Sequence, residues 1–408
     1  MPRAVPVTGG DRADRIAWAR GQMPVLAQIA ARFEQTRPLA GVRVAGCLHL
    51  TAETAVLAGA LRAGGAEVAL CAANPLSTQD GVVAALVGSG IDVRGRRGES
   101  EADYDANIAA LADGAPQIVL DDGGDLLVAA GAHGPLGGTE ETTAGLVRMR
   151  RLEQQGGLGF PVLAVNEART ERALNDRHGT GQSALDGIVR SSGVLLAGNT
   201  VVVVGYGWAG LGVAERARGA GAAVVVCEVD PLRALEARMA GYEVLPALAA
   251  AEIGDVFVTV TGSRAVLRAE HFERMKDGAL LANAGHFDVE IDLEALREVA
   301  AGPPRQVLPL VERFELADGR ALYLLARGRV VNLAAADGHP AAVMDVSFAV
   351  QALCVERLVA ADAGFAPGVQ PVPAAIDDAV ARLKLAALGV EIDEPTAEQL
   401  AYMEAWKL

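Results

Sequence analysis

The sequence has few cysteines and lysines and no long apolar run. Its four cysteines, Cys47, Cys71, Cys227 and Cys354, are widely spaced and form no CxxC pair, so their spacing indicates neither a disulfide framework nor a zinc site. No apolar run reaches the ~18 residues of a membrane span, and no secretory leader opens the chain. We therefore expect a protein of the reducing cytoplasm.

Positive charge is scarce and is carried almost entirely by arginine. The chain has 36 Lys and Arg against 51 Asp and Glu, a formal net charge of -15, which repels phosphate backbones and anionic bilayers. Nucleic acid and membranes are therefore not expected partners. The three lysines are Lys276, Lys384 and Lys407, so a site in the first half of the chain has no amine to use.

The sequence is rich in short apolar strands that alternate with helical stretches. The 408 residues are 51% hydrophobic and include 47 glycines, which is typical of a globular chain with many tight turns, and the length favours two or three units. Candidate strands lie at 42–46, 67–70, 118–120, 200–204, 223–227, 256–260, 279–281 and in a β-rich segment from 307 to 331. Candidate helices lie at 15–35, 53–63, 80–90 and from 341, before a Pro/Gly-rich stretch at 364–373. This alternation predicts an α/β fold with two doubly wound parallel sheets.

A glycine-rich loop indicates a dinucleotide site. Gly205, Gly207 and Gly210 follow a candidate strand directly and open a helix, the context that gives GxGxxG its specificity. The glycines permit a tight turn and close approach of a pyrophosphate to the free amides of the helix. Glu228 ends the next candidate strand, where a carboxylate binds ribose hydroxyls and repels a 2'-phosphate. NAD is thus favoured. Arg233 keeps NADP as the minority alternative, and an ordinary glycine turn is the other.

Six further segments group hydroxyl, carboxyl, amide and imidazole side chains. They are residues 47–54, 77–80, 121–125, 140–143, 283–288 and 331–340. Together with the glycine loop, in this order and over nearly the whole chain, they resemble the S-adenosylhomocysteine hydrolase family. The resemblance implies a substrate-binding domain made of residues 1–182 and 341–370, an NAD-binding Rossmann domain at 183–340 and a short C-terminal tail at 371–408. It also implies a homo-oligomer, dimer or tetramer, that acts on a small adenine nucleoside.

The resemblance also implies roles for individual residues. Substrate contacts would be made by Thr51, Glu53, Gln79, Glu141, Asp337 and His339, with the first two at the adenine and Glu141 at the ribose. Proton transfer near C4' and C5' would fall to His49 and Asp122, and His286 would act with His339 in closing the pocket. Further cofactor contacts would come from Thr142, Thr143, Asn283 and Asn332.

Each of these residues also has a plain structural explanation. His49, beside a strand end, is equally explained as a core histidine, and Glu53 as an acid that the helix dipole favours at a helix start. Asp121 and Asp122 before two glycines are also typical turn formers. Cys47 is interpreted as a packing residue.

One segment departs from the family pattern. Where the family has a lysine and, four residues later, an aspartate at the 3'-hydroxyl, this sequence has Glu171 and Asn175, followed by Asp176. The electrostatics at C3' must therefore differ: Glu171 or Asp176 would act as a direct general base, or Arg172 would turn inward. Thr180 stands in place of the family's nearby cysteine.

Three other departures point to an altered substrate. Asp337 replaces an apolar residue in the loop that lines the base pocket, and Ala144 replaces a threonine beside the cofactor-contacting pair. The chain stops at Leu408 without the extension that in the family reaches a neighbouring subunit's NAD, which puts tight cofactor retention and a tetramer in doubt.

The chemistry follows from sugar oxidation. Oxidising the 3'-hydroxyl to a ketone by hydride transfer to NAD makes the C4' hydrogen acidic, so that a C5' group leaves by β-elimination. The leading hypothesis is a dehydratase that expels water and gives a 4',5'-unsaturated nucleoside, as in antibiotics of the angustmycin type. The alternatives are a divergent S-adenosylhomocysteine hydrolase and a non-catalytic NAD-binding regulator.

Overall fold

A computed structural model describes residues 10–286, 288–360 and 364–405. Phe287, within the 283–288 segment, and Lys407, in the predicted tail, lie outside these ranges. The described chain forms two sheets, each covered by helices on both faces. Strands and helices are numbered along the chain.

The first sheet has seven strands that are parallel throughout. Its spatial order is β15-β6-β5-β4-β1-β2-β3. Its strands are β1 Arg43–Leu48, β2 Glu67–Ala72, β3 Asp92–Arg94, β4 Ile118–Asp121, β5 Gly137–Glu140, β6 Pro161–Ala164 and β15 Gly368–Pro371. Its helices are α1 Gly10–Gly21, α2 Pro24–Thr36, α3 Ala52–Ala63, α4 Asp80–Gly88, α5 Glu101–Asp113, α6 Asp125–Ala130, α7 Thr143–Gln154, α15 Ala341–Val359 and α16 Ala374–Ala387, with short 3-10 turns at Gly131–His133 and Val165–Glu167.

The second sheet has eight strands in the order β12-β13-β14-β11-β10-β7-β8-β9. It is parallel except at β12, β13 and β14, which pair antiparallel at one edge. Its strands are β7 Thr200–Val204, β8 Ala223–Cys227, β9 Glu243–Val244, β10 Val256–Thr259, β11 Leu280–Asn283, β12 Arg305–Leu308, β13 Val311–Glu315 and β14 Ala321–Leu325. Its helices are α9 Trp208–Gly219, α10 Pro231–Met239, α11 Ala247–Ile253, α12 Ala269–Phe272, α13 Leu293–Val299 and α14 Val331–Ala334, with a 3-10 turn at Ala326–Gly328.

Two helical segments join the sheets, and one helix ends the described chain. The two joining segments are a π-helical stretch, Glu171–Thr180, and α8 Gly181–Ser192, which follows it directly. The last helix is α17 Ala397–Ala405. A π-helical stretch is uncommon and occurs frequently at functional sites.

The α/β fold with two parallel-dominated sheets is confirmed, and two local expectations are wrong. The opening helix is two helices, because Pro24 starts α2 and cannot continue the hydrogen bonding of α1. The end of the β-rich segment is not a strand, since Val331 begins α14. The Pro/Gly-rich stretch holds β15, an edge strand, where proline is tolerated.

A buried ion pair ties the C-terminal helices to the first sheet. The Asp345 carboxylate on α15 accepts hydrogen bonds from the backbone amides of Val25 and Leu26 at 3.3 and 2.9 Å. It also accepts from Lys384 Nζ on α16 at 2.9 Å. The free amides at the start of α2 are thereby satisfied, so α2, α15 and α16 pack as one group.

The carboxyl ends of the parallel strands of both sheets face one another. In the first sheet these ends present His49 after β1, Asp122 after β4 and Glu141 after β5, and in the second sheet Gly205 after β7 and Glu228 after β8. Ligands of open α/β sheets bind at this edge. Within the described ranges, no helix has the length and apolar character needed to cross a membrane.

Candidate active site

A cavity of about 1420 Å³ lies between the two sheets and gathers most of the predicted site residues. The predicted residues on its wall are His49, Thr51, Glu53, Asp122, Glu141, Thr142, Thr143, Asn175, Asp176, Gly205, Gly207, Glu228, Arg233, His286, Asn332, Asp337 and His339. Four predicted residues, Gln79, Glu171, Gly210 and Asn283, do not line it. Side chains distant in sequence thus meet around one cavity.

An imidazole and a carboxylate face each other on the wall formed by the first sheet. His49 Nε2 lies 3.4 Å from Asp122 Oδ2, and His49 Nδ1 lies 2.5 Å from Ser77 Oγ. The Ser77 hydroxyl donates to the carbonyl of Asn74 at 2.9 Å, so Ser77 accepts a hydrogen bond from Nδ1–H. Nε2 is then the atom free to take a proton, next to an anion that stabilises the charged ring. Sequence reasoning did not assign Ser77 this role.

Two buried carboxyls hold the loops that carry these groups. Asp121 accepts from the amides of Asp122 and Leu127 at 2.9 and 2.7 Å, and burial raises its pKa to about 7. Glu140 Oε1 accepts from the amides of Gly123 and Thr142, at 3.0 and 2.8 Å, and from the Thr142 hydroxyl at 2.7 Å. Glu140 therefore fixes the substrate-side loop and the cofactor-side loop to one another. The sequence signal for it was its place directly before Glu141 at a strand end.

The π-helical segment presents Asn175, Asp176 and Arg172 to the cavity, whereas Glu171 lies behind the wall and is 3% exposed. Burial raises the pKa of Asp176 to about 6, against the opposing effect of Arg172. Arg172 Nη1 lies 3.3 Å from Asp176 Oδ2, and Nη2 lies 3.9 Å from Glu167 Oε1. Asp176 is therefore the acid of this segment that faces the cavity.

The predicted purine end is built around the start of α3. Thr51 precedes α3, and Glu53 lies in its first turn, so the cavity receives a hydroxyl and an acceptor-only carboxylate. Gln79 lies just outside, with Oε1 buried and without a hydrogen-bond partner among the described residues. Thr180 Oγ1 lies 3.1 Å from His339 Nε2, and burial lowers the pKa of His339 to about 4, so that imidazole is neutral near pH 7.

Asp337 lies on the outer rim of the cavity. Its carboxylate contacts Arg15 at 3.1 Å and Arg190 at 3.4 Å, and the side chain is 63% exposed. Asp337 thus forms ion pairs that join α1 and α8 to the loop before His339, and its contact with the base stays a prediction.

The glycine loop has the geometry that a pyrophosphate requires. Gly205 has φ +102°, and a Cβ there would lie 2.8 Å from the Val260 carbonyl; a Cβ on Gly210 would lie 2.0 Å from the Gly205 carbonyl. A Cβ on Gly207 would meet only Arg233 Nη1, at 3.4 Å, so the backbone at Gly207 is open to the cavity. Gly210 therefore acts by packing α9 against β7, and Gly207 by leaving space for a ligand.

Polar side chains complete the cofactor side. Glu228 Oε2 accepts from the Tyr206 amide at 2.7 Å, and Oε1 accepts from the next two amides along the chain at 2.6 and 2.9 Å. These bonds anchor the glycine loop and leave one lone pair of Oε2 for a ribose hydroxyl. Asn332 Oδ1 is buried on the cavity wall with no hydrogen-bond partner among the described residues. Asn283 instead binds the backbone: its Oδ1 accepts from the Gly285 amide at 2.8 Å and its Nδ2 donates to the Gly328 carbonyl at 3.0 Å. The open backbone at Gly207, the Glu228 carboxylate and the unpartnered Asn332 Oδ1 are together suited to bind NAD.

Glu290 was missed by sequence reasoning. It is 1% exposed and accepts from the Thr261 amide, the Thr261 hydroxyl and the Gly262 amide, each at 2.8 Å. It thereby fixes a cavity-lining loop beside the glycine loop. Across the described ranges, no group of three or more His, Cys, Asp or Glu is arranged to hold a metal ion.

Comparison with known proteins gives a consistent result. The family model described as S-adenosyl-L-homocysteine hydrolase matches residues 10–134, and the one described as its NAD binding domain matches residues 176–338. An S-inosyl-L-homocysteine hydrolase of Methanopyrus kandleri is 52% identical over 97% of this chain and 94% of its own. Adenosylhomocysteinases of Aquifex aeolicus and Thermosynechococcus vestitus are 53% and 52% identical, over 97% and 96% of this chain and 96% and 93% of theirs.

Proposed function

We propose that this chain, which belongs to the S-adenosyl-L-homocysteine hydrolase family and binds NAD, cleaves the thioether of an S-nucleosyl homocysteine to give a nucleoside and homocysteine. The observation that carries the proposal is the pairing of His49 with Asp122, 3.4 Å apart, in the same cavity as the glycine loop. A proton-transfer pair and a dinucleotide cradle around one space support oxidation-assisted elimination rather than simple cofactor storage.

NAD, when bound, supplies a reversible hydride acceptor for the sugar 3'-hydroxyl, which acidifies the neighbouring C4' hydrogen. The residues that would hold it are Gly207 at the pyrophosphate, Glu228 at the adenosine ribose and Asn332, with Thr142 and Thr143, at the nicotinamide end. The chain's own groups would bind and orient the sugar and move protons at C4', at C5' and at the leaving sulfur.

The proton at C4' is proposed to pass to Asp122, with His49 serving the group that leaves and returns at C5'. His49 Nδ1–H is held by Ser77, so Nε2 presents its lone pair toward Asp122 and the cavity. A neutral imidazole can accept a proton from water during addition and, once charged, is stabilised by Asp122. Glu141, beside Asp122, would accept hydrogen bonds from a sugar hydroxyl.

The base is proposed to be adenine. Glu53 is a hydrogen-bond acceptor when ionised, and the 6-amino group of adenine is a donor, whereas the 6-oxo group of hypoxanthine is an acceptor. One relative at 52% identity is an S-inosyl-L-homocysteine hydrolase, so the inosyl compound is the natural competitor. Glu53→Gln supplies both a donor and an acceptor at this position. It should therefore reduce the preference for the adenosyl over the inosyl compound.

A second candidate is the dehydratase, in which water leaves C5' and a 4',5'-unsaturated nucleoside is released. The observation that favours it is the replacement of the family's lysine and aspartate by Glu171 and Asn175. This changes the charge beside the sugar and suits a substrate other than the homocysteine thioether. The relatives' names support the hydrolase instead, and we therefore place the dehydratase second.

The domain assignment is also proposed: residues 1–182 and 341–370 for substrate, 183–340 for NAD, and 371–408 as a tail whose first helix, α16, packs on the substrate unit. The pairing of β15 with β6 supports the return of the chain to the first unit. Exposed apolar residues in the tail, among them Leu388, Ile392 and Tyr402, support a homo-oligomer.

One product assay separates the candidates. The NAD-loaded protein is incubated with S-adenosylhomocysteine, with S-inosylhomocysteine and with free adenine nucleosides, and products are identified by mass spectrometry. We expect homocysteine from the adenosyl compound at the highest rate. An unsaturated nucleoside from a free nucleoside, with no homocysteine release, would establish the dehydratase. No product and no reduction of NAD from any compound would contradict both.

A further inference from the structure

Two carboxyl groups converge on one hydroxyl behind the sugar end of the cavity. The Ser347 hydroxyl, on α15, donates a hydrogen bond to Glu141 Oε1. The π-helical segment packs against α15, so that Glu171, at its start, has Ser347 and Asn175 as polar neighbours. Ser347 is fully buried and Glu171 is 3% exposed, and Glu171 Oε1 has no hydrogen-bond partner among the described residues. The arrangement is therefore a row that runs from the half-buried Glu141 on the cavity wall through Ser347 to Glu171 in the interior.

The donors and acceptors around Glu171 favour one position for a proton. A serine hydroxyl has one hydrogen to donate and two lone pairs to accept with. Because Ser347 donates to Glu141, it has no hydrogen left for Glu171. An ionised Glu171 would present acceptors to a hydroxyl that can only accept, and its remaining donor would be the Asn175 amide. A protonated Glu171 can donate to Ser347, which completes a chain of donors that ends on the Glu141 carboxylate.

Charge accounting gives the same answer. The charged groups that act on Glu171 are Glu141, from the end of β5, and Asp176, from its own segment; both are acids. Asp122 faces Glu141 from the end of β4. Ser347 and Gln351, which α15 turns toward Glu141, are uncharged. The neighbouring cation, Arg172, is engaged by Asp176 and Glu167. Two neighbouring carboxyls without a cation of their own favour the state in which only one of them is ionised.

We propose that Glu171 is a positioning residue that stays protonated in the working enzyme and shares its proton with Glu141 through Ser347. The shared proton holds Glu141 in one orientation as the acceptor for a sugar hydroxyl of the substrate. This last part rests on the proposed function, whereas the shared proton is a property of the free protein. The shared proton thus neutralises one of the two carboxyls, Glu141 and Glu171, as a buried amine would do.

A pH limit follows from the pair. Burial and the neighbouring acids raise the pKa of Glu171 well above its usual value, and burial raises the pKa of Glu141 to about 7. As pH rises, the shared proton is lost and the two carboxylates repel each other. The first consequence is a loss of substrate affinity, a rise in KM on the alkaline side, while kcat changes less.

The direct test is infrared difference spectroscopy of the purified NAD-loaded protein between acidic and alkaline pH, without substrate. A protonated buried carboxyl gives a carbonyl stretching band that disappears when the proton leaves. We expect Glu171→Gln to remove one such band at neutral pH and Ser347→Ala to shift its frequency. Glu298→Gln, at an exposed helical site, is the matched control and should leave the spectrum unchanged.

Because the measurement needs no substrate, it separates this inference from the proposed function. Retention of every band in Glu171→Gln, or an unshifted band in Ser347→Ala, would overturn the shared proton whatever the enzyme's substrate is. If Glu171→Gln does not fold, Ser347→Ala alone decides between a shifted and an unshifted band. With an active substrate, the pH profile is the second readout. Glu171→Gln, which cannot ionise, should keep its KM constant where the KM of the unmodified protein rises roughly tenfold per pH unit.

Discussion

The two ends of the cavity are built on different physical principles. At the cofactor end, recognition comes from backbone geometry: Gly205 turns, Gly207 leaves space and Gly210 lets α9 approach. At the sugar end, it comes from titratable side chains, with Asp122 and Glu141 on adjacent strand ends. A backbone cradle keeps its function as long as small residues remain, whereas a carboxyl cluster changes its chemistry when one charge changes. The departures at 171 and 175 fall at the sugar end, where a change of one charge alters the chemistry.

The change with the largest expected effect disables the sugar end alone. Asp122→Asn keeps the size of the side chain but removes the base, so we expect turnover to fall by roughly 100- to 10,000-fold. Exchange of the C4' hydrogen with solvent deuterium should stop, while bound NAD stays at the unmodified level. Asp113→Asn, on an exposed carboxylate, is the control. Normal exchange in Asp122→Asn would place the base elsewhere.

The converse change disables the cofactor end. Gly210→Ala puts a Cβ 2.0 Å from the Gly205 carbonyl, and the shift that relieves this overlap costs about 1–3 kcal/mol. We expect NAD affinity to fall up to about 100-fold. Gly219→Ala, on the same helix with no atom within 4 Å of the new Cβ, should bind NAD normally. NAD released by denaturation reports both variants, and equal NAD content in the two would show that Gly210 does not set the cradle.

Glu140 belongs to both ends of the cavity, because its carboxyl holds a loop of each end. Glu140→Ala removes the acceptor of three hydrogen bonds and should lower the free energy of unfolding by about 3 kcal/mol. Burial raises the pKa of Glu140, so the neutral Glu140→Gln should stay within about 1 kcal/mol of the unmodified protein. Urea unfolding measures both changes. Equal losses in the two variants would mean that Glu140 acts as an anion.

The smallest effect is expected at the rim. Asp337→Asn breaks ion pairs with Arg15 and Arg190 that lie in solvent, and such pairs contribute about 0–1 kcal/mol. We expect kcat/KM to change less than about threefold at physiological salt, with the difference vanishing at high salt. A large change in the preference for adenosyl over inosyl substrate would instead return Asp337 to the base pocket.

The cofactor end could be predicted from the sequence because its signal is local. Strand 200–204, the glycines and Glu228 lie within one βαβ unit, and β7 and β8 have the predicted bounds. The sugar end depends on which distant strand ends meet, so His49, Asp122 and Glu141 were brought together only by resemblance to a family. The roles of Ser77, Glu140, Glu290 and Ser347 arise from tertiary hydrogen bonds, which no periodicity encodes. Glu171 lies behind the cavity wall rather than on it, and this placement also depends on tertiary contacts that the sequence pattern does not show.

We propose that this protein labilises the C4' hydrogen of a purine nucleoside held between the two sheets. The most direct measurement is to incubate the NAD-loaded protein with adenosine in deuterated water and examine the recovered adenosine by NMR. We predict deuterium at C4', with configuration retained and the bound NAD recovered in its oxidised form. Recovery of adenosine with its C4' hydrogen intact, from protein shown to contain NAD, would contradict the account.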